Sequence, residues 1–457
     1  MKIYRLLFAG FLCAAATQAN AQIPQIQHVV FIIQENRTPD NLFHNLPTYL
    51  PAADIASSGI NSLGQIIPLV QVGLSSGWDI GHEHADFQRQ WDRGKMDGAN
   101  KNGCTPPHGS TCPPNPQFTY VNPSDIAPYY NLAINYGFAN RMFQTNQSGS
   151  FPAHQMLLAG TSQLTSTSPL FGADNMRYPA EGAGCAQPSN QAEPFIGPGG
   201  KETALFPCME HDTLTDVLDN PPSGSPISWR YYYYAPPTAS SYWDAPNAVQ
   251  HMCVATGSPL QCTGPDWSNG KMVANNVQFL QDIQSGHLAA VSWVTPSGYE
   301  SDHPADAAKG GPSWVASIVN AIGNSPYWYN TVILITWDDW GGFYDHVAPP
   351  IDPTYGYFEY GFRVPLLVVS AYTPQGYVSN VTHDFGSMLK FTEKVFGLGL
   401  IPPGTFADAR ADDLSDFFNF NAMPRAFTTV AAPMPASHFL QYLKHDPRPP
   451  LMPDTDD

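Results

Sequence analysis

Two adjacent carboxylates, Asp338 and Asp339, directly follow a short apolar run at residues 331–336. Such a run is typical of a strand buried on both faces of a parallel sheet, and ligand sites in open α/β sheets gather where such strands end. Neighbouring carboxylates repel each other unless a cation lies between them or they share a proton. The pair therefore predicts a metal site, with a solvated Asp-Asp turn or a proton-sharing acid dyad as the alternatives.

Polar side chains also follow two other predicted strands. Residues 28–33 lead into Glu35 and Asn36, and residues 288–296 lead towards an acid and a histidine at Asp302 and His303. Because the carboxyl ends of parallel strands meet at one edge of a sheet, we expect these groups to converge on one site.

A serine, Ser150, stands among small residues just before a run at 155–160 that is predicted to open a helix. A serine at a helix N-terminus is usually a cap. It can also be a nucleophile, because the helix dipole and the free amides favour the anion that it attacks. His82 and His84 are two residues apart and would not share a helix face, so a metal site built on that pair is only weakly indicated.

Strands alternate with helices along the chain. This pattern predicts an α/β fold with a mostly parallel sheet that is sandwiched by helices. We expect one domain over 22–457, with loop insertions at roughly 98–124 and 161–205. The predicted strands are 28–33, 226–235, 288–296, 331–336 and 363–371, and the predicted helices are 87–95, 126–138, 213–218, 273–283 and 313–322.

The composition excludes some classes of partner. The net charge of −18 argues against nucleic acid, whose binding depends on Lys and Arg, and gives no attraction to anionic membranes. Residues 1–21 have the basic start, apolar core and small-residue end of a secretory signal peptide, and no later stretch is long and apolar enough to span a membrane. We therefore expect a secreted or periplasmic protein.

Cysteine usage fits export. Cys13 lies in the signal segment, and the even number that remains indicates disulfides. Fifteen connectivities are possible. Pairing of sequence neighbours predicts bonds 104–112, 185–208 and 253–262, whereas metal thiolates are the alternative.

Several stretches, taken in their order, resemble the motifs of a bacterial phosphoesterase family that contains phospholipases C and acid phosphatases. Residues 35–40 resemble its ENRSFD motif, and residues 336–350 are similar to its DE-x-GGFYDHV-x-PP signature. The other matching stretches are 82–97 (His…Trp…Gly-x-Met-Asp), 150–152 (Ser/Thr-x-Pro), 302–304 (EHP), 362–365 and 413–420.

The resemblance implies an alkaline-phosphatase-like α/β core with one divalent ion. By position, its ligands would be Glu35 or Asn36, Asp338, Asp339 and the Ser150 hydroxyl. These ligands are all oxygens, which favours Ca²⁺, Mg²⁺ or Mn²⁺ over Zn²⁺.

The resemblance also implies a mechanism. Ser150 would attack phosphorus and form a phosphoserine, and His303 or His82 would protonate the leaving oxygen. Asn36 would hold a phosphate oxygen. His346 either supports the site or lies behind it.

The sequence departs from the family pattern at Pro39, Asp339, Trp340 and the pair Ala153-His154, where Asn-Arg is frequent. The altered rim, the short length and the acidic charge favour an acid phosphatase acting on phosphomonoesters. The first alternative is a phospholipase C that cleaves phospholipid phosphodiesters. A non-catalytic binding protein on the same fold is a further alternative, and so is a sulfatase, although the Ser150 stretch lacks the arginine that a sulfatase needs.

Overall fold

A computed structural model describes residues 23–106, 111–175, 183–234, 243–258, 260–306, 308–351 and 358–445. The predicted signal segment and Cys13 lie outside the described residues. Among the helices that are described, none is long and apolar enough to cross a membrane.

One large sheet organises the chain. Its order is β4-β3-β5-β1-β6-β7-β2-β8, and every strand except β7 runs in the same direction. The α/β fold with a mostly parallel sheet is therefore confirmed. The strands are β1 (His28–Gln34), β2 (Gly137–Ala139), β3 (Trp229–Tyr232), β4 (Met272–Val273), β5 (Val291–Val294), β6 (Thr331–Trp337), β7 (Leu366–Ser370) and β8 (Tyr377–Ser379).

Helices connect and cover these strands. They are α1 (Pro39–Leu42), α2 (His84–Trp91), α3 (Ala127–Asn135), α4 (Ser150–Ala159), α5 (Leu214–Asp219), α6 (Pro265–Ser268), α7 (Gln278–Gln284), α8 (Gly311–Gly323), α9 (Phe385–Phe396), α10 (Ala407–Arg410) and α11 (Ala436–His445).

The middle of the sheet is its most apolar part. All seven residues of β6 are buried, and β1 is buried from Val29 onwards. β1 lies between β5 and β6 at the centre of the sheet. Because both faces of such central strands are covered, β1 and β6 are continuous apolar runs.

Two sequence expectations were wrong. The helix predicted over 126–138 ends at Asn135, and Gly137 begins strand β2, where a Cβ would lie 2.6 Å from the Phe417 ring. The insertion at 161–205 is not irregular throughout, because Phe171–Gly172, Glu193–Gly197 and Lys201–Leu205 form a three-stranded antiparallel sheet. Its buried Phe195 packs with Phe151 of α4.

The three predicted disulfides are confirmed. Cys104 bonds to Cys112, Cys185 to Cys208, and Cys253 to Cys262. The second bond joins Cys185, within the 161–205 insertion, to Cys208 in the chain that follows it.

We expect the Cys185→Ser, Cys208→Ser double variant to lose about 3 kcal/mol of unfolding free energy, because the bond closes a loop with a sequence separation of 23. Urea denaturation followed by circular dichroism measures this. The matched Cys253→Ser, Cys262→Ser variant opens a loop with a separation of 9 and should lose less. An equal or larger loss there would contradict the chain-entropy explanation.

Candidate metal centre and active site

Glu35 and Asp338 lie side by side because their strands are in register. Gln34 is paired with Trp337 at the last position of β1 and β6, so the next residue of each strand emerges at the same level. The Asn36 amide donates to Asp338 Oδ1 at 2.9 Å and holds the two strand ends together.

Asp339 is fixed by the glycine turn that follows it. The Gly341 amide donates to Asp339 Oδ1 at 2.7 Å. Gly341 has a φ of +60°, and a Cβ there would lie 2.5 Å from the Asn36 carbonyl oxygen. Only glycine permits both the conformation and the close approach.

Ser150 is the first residue of α4, and its hydroxyl faces the carboxylates. Ser150 Oγ donates to Asp339 Oδ2 at 3.0 Å and lies 3.4 Å from Glu35 Oε2. The preceding Gly149 leaves room for a neighbour, since a Cβ there would lie 3.2 Å from His82 Cδ2. The structure thus brings together Ser150, Glu35, Asp338 and Asp339, four of the candidate residues singled out in the sequence.

His154 also belongs to this cluster, although the sequence indicated it only as a departure from the family pattern and not as a ligand. His154 Nε2 lies 3.2 Å from Glu35 Oε1 and 3.7 Å from Asp338 Oδ2. The spacing of Ser150 and His154 could have indicated this position, because residues i and i+4 share one face of a helix and Ser150 begins α4. Burial lowers the pKa of His154 to about 4, opposed only by the charge of Asp338, so the imidazole is neutral and can offer a nitrogen to a metal.

The three carboxylates are buried together. Glu35, Asp338 and Asp339 are fully buried. Burial, followed by the charges of Asp338 and Asp339, holds the pKa of Glu35 well above its usual range. Asp338 Oδ2 is buried and accepts no hydrogen bond from the described residues. Buried like charges of this kind need either a metal or a shared proton.

Glu35, His154 and Asp338 could hold that metal, because one ligand atom from each lies within 4.8 Å of the others. The expectation of an oxygen-only site is therefore revised. Asp339 instead accepts the hydrogen bond of Ser150 through Oδ2. A mixed set of carboxylate and imidazole ligands also suits transition metals such as Mn²⁺ and Zn²⁺.

Asn36 lies at the edge of the cluster and contacts His82. Its φ is +59°, a conformation that Asn tolerates better than most residues. Asn36 Nδ2 lies 2.9 Å from His82 Nε2, and His82 Nδ1 lies 2.6 Å from the Ile80 carbonyl. The carbonyl can only accept, so His82 carries its proton on Nδ1 and accepts from Asn36 through Nε2.

His303 has the opposite tautomer. The Ala305 amide donates to His303 Nδ1 at 3.1 Å, so the proton of the neutral ring is on Nε2. The ring centroids of His303 and His82 are 6.3 Å apart. Tyr129 and Trp337 donate to Oδ2 of the neighbouring Asp302 at 2.8 and 3.0 Å.

His346 lies behind the site, in an ion-pair network. It contacts Asp40 at 2.8 Å and Asp54 at 3.1 Å. Arg363 donates to Asp345 Oδ1 at 2.8 Å in the same network. His346 therefore fixes the loop that follows the acid pair.

We expect His154→Ala to lower the metal affinity at least about tenfold, because it removes an imidazole that faces two carboxylates. Metal analysis after equilibrium dialysis measures this for Mn²⁺, Zn²⁺ and Ca²⁺ in turn. His211→Ala is the matched control, since His211 is also a buried histidine whose pKa burial lowers to about 4. Equal metal affinity in the two variants would exclude His154 as a ligand.

The His346 network should make stability depend on pH. Burial lowers the pKa of His346, but the hydrogen bond and charge of Asp40 outweigh it and raise the pKa to about 8. Because the folded pKa exceeds the unfolded value, this stability is present below about pH 6.5 and is lost as the pH rises through 8. Urea denaturation should show wild type exceeding His346→Asn by about 1 kcal/mol more at pH 6 than at pH 9, after allowance for solvent screening. A difference that does not change with pH would contradict this.

Among solved structures, the chain is similar to a protein of the alkaline phosphatase superfamily from Vibrio parahaemolyticus, with 10% identity, a TM-score of 0.37 and coverage of 87% of this chain and 71% of that chain. It is also similar to the sulfatase PsFucS1 from Pseudoalteromonas sp., with 11% identity, a TM-score of 0.35 and coverage of 66% and 68%. TM-scores below 0.5 do not establish a shared fold. The α/β architecture is therefore assigned from the central sheet alone.

Two curated relatives share more sequence with the chain than these solved structures do. A non-hemolytic phospholipase C of Burkholderia pseudomallei is 25% identical over 90% of this chain and 61% of its own length. Phospholipase C A of Mycobacterium tuberculosis is 31% identical over 32% of this chain and 33% of its own length. The chain thus spans from about a third to about three fifths of the length of these relatives. The model of the Phosphoesterase family matches residues 26–399, and the chain therefore belongs to that family.

Proposed function

We propose that this protein hydrolyses phosphoric esters with a divalent metal and with Ser150 as the nucleophile. One observation carries the proposal, namely that the Ser150 hydroxyl lies 3.0 Å from Asp339 and 3.4 Å from Glu35 within a buried group of carboxylates. The names of the curated relatives favour phospholipase C over the acid phosphatase that the sequence favoured. We therefore propose phosphodiester cleavage as the main activity.

A metal is needed on electrostatic grounds. A phosphate ester is anionic, and three buried carboxylates would repel it. A divalent ion held by Glu35, His154 and Asp338 would neutralise that charge and act as a Lewis acid towards a phosphoryl oxygen.

The nucleophile needs a base and a stable orientation. Asp339 Oδ2 already accepts the hydrogen bond of the Ser150 hydroxyl and is placed to take its proton as the base. The position of Ser150 at the N-terminus of α4 favours the developing negative charge. Attack at phosphorus breaks the bond to the leaving oxygen and joins the phosphoryl group, with its remaining ester substituent, to Ser150. Water then breaks the bond to Ser150 and releases a phosphomonoester.

The leaving oxygen requires a proton. His303 carries a proton on Nε2, whereas His82 donates its own to the Ile80 carbonyl. We therefore propose His303 as the general acid. His82 is instead a positioning residue that orients the Asn36 amide, whose part is to bind a phosphoryl oxygen.

The setting of the activity is extracytoplasmic in this proposal. Three disulfides suit an oxidising compartment, and the predicted signal segment would direct the chain there.

We expect Ser150→Ala to reduce turnover of p-nitrophenylphosphorylcholine and of p-nitrophenyl phosphate by at least about 10³-fold, because it removes the attacking atom. Turnover of the choline diester should exceed that of the monoester in wild type. Thermal denaturation should show that the variant folds.

Ser148→Ala is the matched control. Ser148 Oγ donates to Asp174 at 2.5 Å and not to the carboxylates of the site. If Ser148→Ala abolished turnover while Ser150→Ala kept it, the assignment of the nucleophile would be wrong. A wild type that turned over only the monoester would restore the acid phosphatase alternative.

A further inference from the structure

A solvent-exposed apolar hairpin lies near the candidate site. Strands Ser58–Ile60 and Ile66–Pro68 pair antiparallel, with Ile60 opposite Ile66. The exposed fractions are 47% for Ile60, 77% for Leu63, 71% for Ile66 and 58% for Val70. We call residues 58–70 the apolar hairpin.

The apolar hairpin is mostly apolar on both faces, and Ser58 is the polar residue of its paired strands. On its inner face, a Cβ on Gly59 would lie 2.6 Å from the Tyr344 ring, and Ile67 packs with Phe118. On its outer face, Ile60 and Ile66 point to solvent. An antiparallel pair with one face in water normally carries polar residues there, so a second apolar face indicates a contact surface.

The composition of this segment is unlike that of the rest of the chain. Of the ten large hydrophobic side chains that are exposed in the described residues, four lie in the apolar hairpin. No charged side chain occurs between Asp54 and Asp79, although the chain has a net charge of −18. The exposed side chains of this segment are therefore mostly apolar, and none of them is charged.

The tip of the apolar hairpin is fixed before any contact forms. Asn61 Oδ1 accepts from the Leu63 and Gln65 amides, each at 3.0 Å, and the Ser62 amide donates to Asn100 at 2.9 Å. A rigid tip presents Leu63 without an ordering cost on binding.

The apolar hairpin is tied to the loop that carries the site. The Tyr344 ring packs closely against the backbone of Gly59, where a Cβ would lie 2.6 Å from Tyr344 Cζ. The Tyr344 carbonyl in turn accepts from Thr38 Oγ at 2.9 Å, three residues after Glu35. The tip and the carboxylates are thus connected to the same edge of the central sheet.

We propose that the apolar hairpin docks the protein on a zwitterionic lipid surface by inserting Leu63, Ile66 and Ile60. Residues 55–78 contain no basic side chain and the chain has an acidic net charge, so neither attracts the protein to anionic lipid. Insertion of apolar side chains does not require such attraction. The proposal rests on the proposed function in that the bound lipid would also supply the substrate.

Vesicle sedimentation tests the docking without turnover. The Ser150→Ala protein is mixed with sucrose-loaded phosphatidylcholine vesicles and centrifuged. We expect it to sediment with them, and we expect the added changes Leu63→Asp and Ile66→Asp to lower the partition coefficient at least about tenfold. Val254→Asp is the matched control, because Val254 is 52% exposed on a different hairpin, and it should bind as Ser150→Ala does.

Two results would overturn the docking proposal. One is equal sedimentation with and without the two aspartates, including no sedimentation of either protein. The other is a wild-type dimer that light scattering shows to become a monomer on Leu63→Asp, since the face would then join two copies of the chain.

The failure of docking is distinguishable from that of the proposed function. With otherwise wild-type protein, Leu63→Asp, Ile66→Asp should keep the hydrolysis of soluble p-nitrophenylphosphorylcholine and lose at least about tenfold of the hydrolysis of vesicular phosphatidylcholine. A wild type without activity on any soluble ester would contradict the proposed function alone, because sedimentation does not depend on it.

Discussion

Repulsion among Glu35, Asp338 and Asp339 is the constraint on which the rest of the site depends. All three carboxylates are fully buried, and the nearest imidazole, His154, is neutral because burial lowers its pKa to about 4. An arrangement of this kind is stable only with a cation or with a proton shared between carboxylates. The same concentration of negative charge that is costly to bury would attract a divalent ion.

The fold resists this repulsion through its backbone. The amides of Asn36 and Asp339 both donate to Asp338 Oδ1, at 2.9 and 2.8 Å, and the Gly341 amide donates to Asp339. These donors are fixed because β1 and β6 are paired in register up to Gln34 and Trp337. The register of the parallel sheet thus positions amides whose partial positive charges hold the acids in place.

Much of this was predictable, since apolar runs identify central strands and strand ends identify the edge where ligands bind. The sequence predicted that Glu35 and Asp338 lie near each other because parallel strands share that edge, whereas Ser150 was grouped with them only through the family resemblance. His154 was missed because its role depends on the face of α4 that is turned towards the sheet, which is a tertiary property. The helix predicted over 126–138 was too long because a three-residue strand at Gly137 has no periodicity of its own, and only packing against Phe417 identifies it.

The second half of the 336–350 motif shows why so short a signature carries so much of the protein. Asp339 faces Ser150, Gly341 allows the approach of Asn36, Tyr344 packs against Gly59, and His346 joins the network of Asp40. Each contact lies in a different direction from one loop. Because all four belong to one loop, contacts that do not touch Ser150 still help to set the position of Asp339 and its 3.0 Å distance from Ser150 Oγ.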